Sequence, residues 1–115
     1  MATRYMFLLY GDESGMADVT PEQWEQMIQA HNAWGESVHA AGATIVSGEA
    51  LSPSSTSTTV RKNGGAPTVT DGPFAETKEA LGGYYTIDCA DLDQALALAH
   101  TCPIDVVEVR PVIPT

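Results

Sequence analysis

The polar residues best placed to do chemistry gather in one stretch, Asp71-Gly72-Pro73-Phe74-Ala75-Glu76-Thr77-Lys78-Glu79. Gly72-Pro73 enforces an extended or turn conformation, because the residue before a proline avoids the helical region. Asp71 can accept hydrogen bonds from the amides of its own turn. Glu76, Lys78 and Glu79 then fall within one short loop, which could present a carboxylate and an ammonium to a ligand. The alternative is turn chemistry with solvated charges. His31 is the second candidate, a general acid–base group one helical turn from Met27 and Ile28. On that apolar stripe it is either a site residue or a core histidine with a satisfied ring. His39 lies off the stripe, and His100 falls in the last turn of a second helix, where the helix dipole favours a cation. No two histidines have metal-ligand spacing, and no Ser–His–Asp order is legible. Gly64-Gly65 and Gly82-Gly83 lack the strand–loop–helix setting of a phosphate site. Neither a metal nor a cofactor is expected.

The cations are few. Arg4, Arg61, Lys62, Lys78 and Arg110 are assigned to strands or to the Asp71–Lys78 loop, and neither expected helix carries one. Lys78 and Arg110 could hold a small anionic ligand by charge-assisted hydrogen bonds, with Glu108 and Tyr84 completing the set of candidate ligand contacts. Internal pairing with Glu108, Asp88, Glu76 or Glu79 is the alternative. Fifteen Asp/Glu against five Lys/Arg give a net charge of -10. That balance argues against nucleic acid as a partner, since phosphate neutralisation needs clustered cations.

These groups must be positioned by ordinary elements. Arg4–Tyr10 is a continuous apolar run closed by Gly11-Asp12. Tyr5, Phe7 and Leu9 point one way and Met6, Leu8 and Tyr10 the other, the pattern of a strand covered on both faces. Thr20-Pro21-Glu22-Gln23 is a helix start, with Thr20 as N-cap, Pro21 at the first position and Gln23 closing a capping box. Trp24, Met27, Ile28, His31, Trp34 and Val38 follow as one buried stripe, which predicts a helix over Glu22–Ala41 with Gly42 ending it. Thr44–Gly48 reads as a strand, and Leu51–Thr58 as a Ser/Thr/Pro-rich loop. Thr59–Lys62 and Pro67–Thr70 read as a hairpin. Tyr84–Cys89 is an alternating strand opened by Gly82-Gly83. Asp91 caps a short helix ending near Cys102-Pro103, and Val106–Val112 is the last strand, with Glu108 and Arg110 on one face and Val107 and Val109 on the other.

The 115 residues, 12.2 kDa, are expected to make one domain over residues 1–115. Surface scaling for that mass gives about 6,000 Å² exposed when folded, against roughly 18,000 Å² unfolded. The order strand, helix, strand, hairpin, strand, helix, strand fits an α+β ferredoxin-like sandwich with a hairpin insertion and both helices on one face of an antiparallel sheet. The uncovered face would carry more apolar surface than a monomer normally exposes, so a homodimer through the sheet face is expected. No apolar run is long enough to span a bilayer, and the N-terminus reads as a strand, not a signal peptide. Cys89 and Cys102 lie at opposite ends of the second helix, too far apart to bridge, and reduced thiols point to the cytoplasm.

Asp71–Asp88, DGPFAETKEALGGYYTID, resembles the signature of the DGPF-type, YCII-related proteins of bacteria. The likeness extends through RYMFLLYGDE, AAGATIVSGEAL, TTVR and VEVRPV, nearly the whole chain. It implies a ferredoxin-like α+β fold forming a dimeric α/β barrel. It also implies, for some relatives, an enzyme working through a histidine–aspartate pair in the cleft. His31 falls at the position resembling the family histidine. The aspartate position, just before the proline after the second helix, is here Cys102, which leaves Asp71 or Glu76 as the substitute orienting carboxylate. A related module attached to sigma factors implies the other function, a non-catalytic ligand-binding or accessory role in transcription regulation.

Overall fold

A computed structural model describes residues 2–115. In chain order the elements are β1 (Thr3–Asp12), α1 (Pro21–Ala40), β2 (Thr44–Ala50), β3 (Thr58–Arg61), β4 (Thr68–Asp71), β5 (Glu79–Cys89), α2 (Leu92–Thr101) and β6 (Val106–Pro111), with short 3-10 turns at Met16–Asp18 and Ser54–Thr56. Four strands form one antiparallel sheet in the order β2-β5-β1-β6. The sheet is open, so no barrel closes within one chain. β3 and β4 form a separate two-stranded ribbon.

Local chemistry explains where α1 begins and ends. The Thr20 side chain accepts from the Gln23 amide while the Gln23 side chain accepts from the Thr20 amide, so two otherwise orphaned donors are satisfied reciprocally. At the other end Gly42 takes a left-handed φ of 86° and its amide bonds His39 O at 3.0 Å, closing the helix where a Cβ would be strained. Asp91 caps α2 by accepting from the Gln94 amide.

The core lies on one side of the sheet. Tyr5, Phe7 and Leu9 of β1 and Ile87 and Cys89 of β5 pack against Trp34 and Val38 of α1 and Ala95 and Leu98 of α2, with Phe7, Val38 and Ile87 sealed from solvent. The Trp34 indole donates to Leu98 O at 3.0 Å, joining the two helices without leaving a buried donor unpaired. Val107 and Val109 of β6 pack on this same cluster. Met6, Leu8 and Tyr10 face the other way, only partly covered.

Two departures from the sequence-based expectation matter. Only Trp34 and Val38 of the α1 stripe are buried, whereas Trp24, Met27 and Ile28 are exposed, Trp24 by 46%. Met16 of the first 3-10 turn borders Trp24 and Met27 but leaves them exposed. And β5 starts at Glu79, five residues before the expected Tyr84, running through Gly82-Gly83 instead of beginning after them. Gly83 is needed inside the strand, because a Cβ there would stand 2.8 Å from Glu49 O on β2. Gly82 is the extra residue of a bulge, since Leu9 pairs with Gly83 and Tyr10 with Leu81.

The chain exposes 8108 Å². Its radius of gyration is 16.3 Å, against about 13 Å for a compact chain of this length. Both values describe a molecule with more surface than its mass requires.

Candidate functional site

The best-organised polar group lies between α1 and the sheet. Strand alternation puts Tyr85 of β5 on the helix side, opposite Phe7 of β1 and Gly48 of β2. Gly48 makes this possible: a Cβ there would stand 2.6 Å from the Tyr85 ring. On its other side the ring meets Trp34, centroids 4.9 Å apart and tilted by 47°. So held, the Tyr85 hydroxyl lies 2.8 Å from His31 Nδ1. His31 is half-buried, and desolvation moves its pKa below the ordinary 6.5. The ring is therefore neutral near pH 7. Burial raises the Tyr85 hydroxyl, and Cys102 nearby adds to that effect. Burial also pushes the Cys102 thiol up to about 11.

The chemical capacity of this pair follows. With Nδ1–H donating to the Tyr85 oxygen, Nε2 carries a free lone pair and has no hydrogen-bond partner among the described residues. The Tyr85 hydroxyl can donate to Nδ1 as well as accept from it, so the contact orients the ring in either neutral tautomer, and the tautomer with Nδ1–H leaves Nε2 as a general base. The protonated Cys102 thiol, at the position where the resemblance implies aspartate, supplies no negative charge.

The other candidates fall elsewhere. Glu108 and Arg110 of β6 pair on the opposite, open face of the sheet, in register with Leu8 and Met6, and the Tyr10 hydroxyl donates to Glu108 at 3.0 Å. Arg110 and then Tyr10 hold the Glu108 carboxyl below its usual range. Tyr84, opposite Leu8, shares that open face. Asp71 ends β4, and Glu76 and Lys78 follow on the loop after it, all three exposed. Lys78 stands near Asp12, whose carboxyl is lowered first by the Ser14 amide and only weakly by Lys78. The loop folds back on the ribbon, with Thr59 donating to Gly72 O at 2.7 Å and Arg61 donating to Phe74 O while lying 4.8 Å over the Phe74 ring. Gly72 takes a φ of 104°, which requires glycine.

His31 and Arg110 thus share no hollow within one chain. A strand's alternation puts Arg110 and Tyr85 on opposite sides of one sheet. Neither Asp71 nor Glu76 bonds to His31, whose partner is Tyr85. The parity of Tyr85 with Ile87 and Cys89, the apolar set of β5, was the signal for it; Tyr84 has the other parity. Of the cations, Arg4 pairs internally with Asp88, at 2.8 and 3.0 Å. Among the described residues no three His, Cys, Asp or Glu converge as metal ligands, and no helix is long and apolar enough to cross a membrane.

An open antiparallel α+β sheet with a half-buried histidine beneath its first helix now has a family. The YCII-related domain matches residues 3–115, and the chain belongs to that family. An uncharacterised protein of Rhizobium meliloti (strain 1021) is 40% identical over 96 residues, covering 84% of this chain and 77% of the relative.

Proposed function

We propose that this YCII-related chain is a homodimeric, cytoplasmic, cofactor-independent enzyme of one domain, acting on a small anionic molecule with His31 as general acid–base group and Tyr85 as its orienting partner. The 2.8 Å contact between His31 Nδ1 and the Tyr85 hydroxyl carries this reading, because it fixes one ring nitrogen and frees the other in a partly desolvated setting. Lys78 is the cation of the signature loop. Arg110, Glu108 and Tyr84 would serve ligand contact from the open face. Strand order β2-β5-β1-β6 with both helices on one core supports a ferredoxin-like sandwich. The partly covered Met6, Leu8 and Tyr10 support a sheet-to-sheet dimer, the dimeric α/β barrel.

Ring NMR across a pH titration tests the catalytic part. His31 should titrate below 6.5, and Tyr85→Phe should move that midpoint. A His31 ring that never titrates, or one indifferent to Tyr85→Phe, refutes the acid–base role.

One observation favours a second reading. Cys102 occupies the position where the resemblance implies aspartate, so the site lacks the buried carboxylate of a histidine–aspartate pair. A non-catalytic ligand-binding or accessory module in transcription regulation would tolerate that change. Under it, His31→Ala would leave binding of small carboxylates and phosphate intact, and Lys78→Ala would weaken it.

A further inference from the structure

The β3–β4 ribbon is the part of the chain with least support. It joins no other strand, and an isolated two-stranded hairpin is marginal in water. One of its faces is occupied by its own loop, through Thr59 and Arg61. The other carries the cross-strand pair Val60 and Val69, 54% and 68% exposed. A second uncovered apolar surface is the first half of α1, where Trp24 and Met27 border an open cavity of about 300 Å³ together with Met16 and Pro21, and Ile28 extends the stripe.

The two surfaces complement each other in charge as well as in character. Glu22 and Glu25 flank the stripe on α1, which carries no Lys or Arg, while Lys62 stands at the end of the ribbon strand two residues from Val60, Arg61 being held against Phe74 on the other face. The available area also fits. The chain exposes 8108 Å² against the roughly 6,000 Å² its mass calls for, an excess of about 2,000 Å². A standard stable interface takes only about 800 Å² from each partner, so a second contact region beside the sheet face has surface to draw on.

We propose that in the homodimer the ribbon of one copy lies across the Trp24–Met27–Ile28 stripe of the other. Val60 and Val69 pack on its apolar side chains, and Lys62 faces its glutamates. Because Met27 and Ile28 are one helical turn from His31, the arm borders the second copy's histidine site, which is walled only in the dimer. This inference rests on the homodimer reading.

Two singly substituted chains, Met27→Cys and Val69→Cys, are co-expressed with different tags and mildly oxidised; the native cysteines are buried and do not compete. The expected product is a disulfide-linked pair containing one chain of each kind. A Met27→Cys/Val69→Cys double variant that closes its bond within one chain, or a mixture that never links, overturns the arm placement. Light scattering of the unsubstituted protein separates the two ideas. A dimer without the mixed link leaves the sheet-face dimer standing, whereas a monomer at micromolar concentration defeats both. Val60→Asp with Val69→Asp should raise the dimer dissociation constant at least tenfold, and an unchanged constant also refutes the arm.

Discussion

Gly48→Ala tests how the His31–Tyr85 pair is held. The added methyl would lie 2.6 Å from Tyr85 Cδ1, 3.0 Å from Cε1 and 3.1 Å from Tyr84 O. Ordinary contact needs roughly 3.5–4.0 Å, so the ring must retreat by about 1 Å. It cannot retreat freely, because Trp34 packs on it at 4.9 Å and the Tyr84 carbonyl is main chain. Two effects oppose each other. Replacing a strand glycine removes unfolded-state freedom, a gain of about 0.4–1 kcal/mol. Overpacking a filled site costs about 1–3 kcal/mol, so the clash wins. At about 4 °C per kcal/mol for a chain of this size, calorimetry at fixed protein concentration should show Tm lower by several degrees. The same displacement should stretch the 2.8 Å contact beyond hydrogen-bond length and shift the His31 ring resonances toward those of Tyr85→Phe. An unchanged Tm together with unchanged His31 resonances would refute the claim that Gly48 makes room for the pair. A lower Tm with an unmoved His31 would separate packing from positioning.

Two further outcomes follow from burial. Desolvation lowers His31 below its unfolded value of 6.5, so the unfolded chain binds the extra proton first. Stability should therefore fall as pH drops through 6.5 toward the folded value and level off below it, with no His31 contribution above that window; urea midpoints of the unsubstituted protein and His31→Gln should converge in slope only outside it. Cys102, pushed up to about 11, should resist a thiol reagent at pH 8 in the native protein and react in denaturant, together with Cys89. Rapid native labelling of Cys102 would show that its burial is not maintained.

Much of the architecture was legible because local rules fixed it. Thr20-Pro21 and Gln23 placed the start of α1, Gly42 its end and Asp91 the start of α2, all through backbone groups that must be satisfied close by in sequence. Misreadings arose where distant parts decide. Gly82-Gly83 looked like a break, yet Gly83 is demanded by the carbonyl of Glu49, which only sheet pairing brings near. The stripe of Trp24, Met27 and Ile28 has the spacing of a buried face, but periodicity does not say whether the cover belongs to the same chain. For the site, His31 was visible as a candidate while its partner was not. Choosing between Tyr84 and Tyr85 required knowing which face of β5 meets the helices, and the cations followed whichever strand face their parity dictated.

The bulge at Gly82 is a local device, and the pairing beyond it does not depend on its presence. Deleting that one residue would let β1 and β5 pair without interruption, with Leu81 still opposite Tyr10, Ala80 opposite Gly11 and Glu79 opposite Asp12, so these side chains would keep their sides. What the strand would lose is the extra bend and twist that a bulge adds, and with it the angle at which the preceding loop leaves the sheet. Loss of one glycine from this pair should therefore be better tolerated in a mutational scan than loss of a residue elsewhere in β5, which would break the alternation.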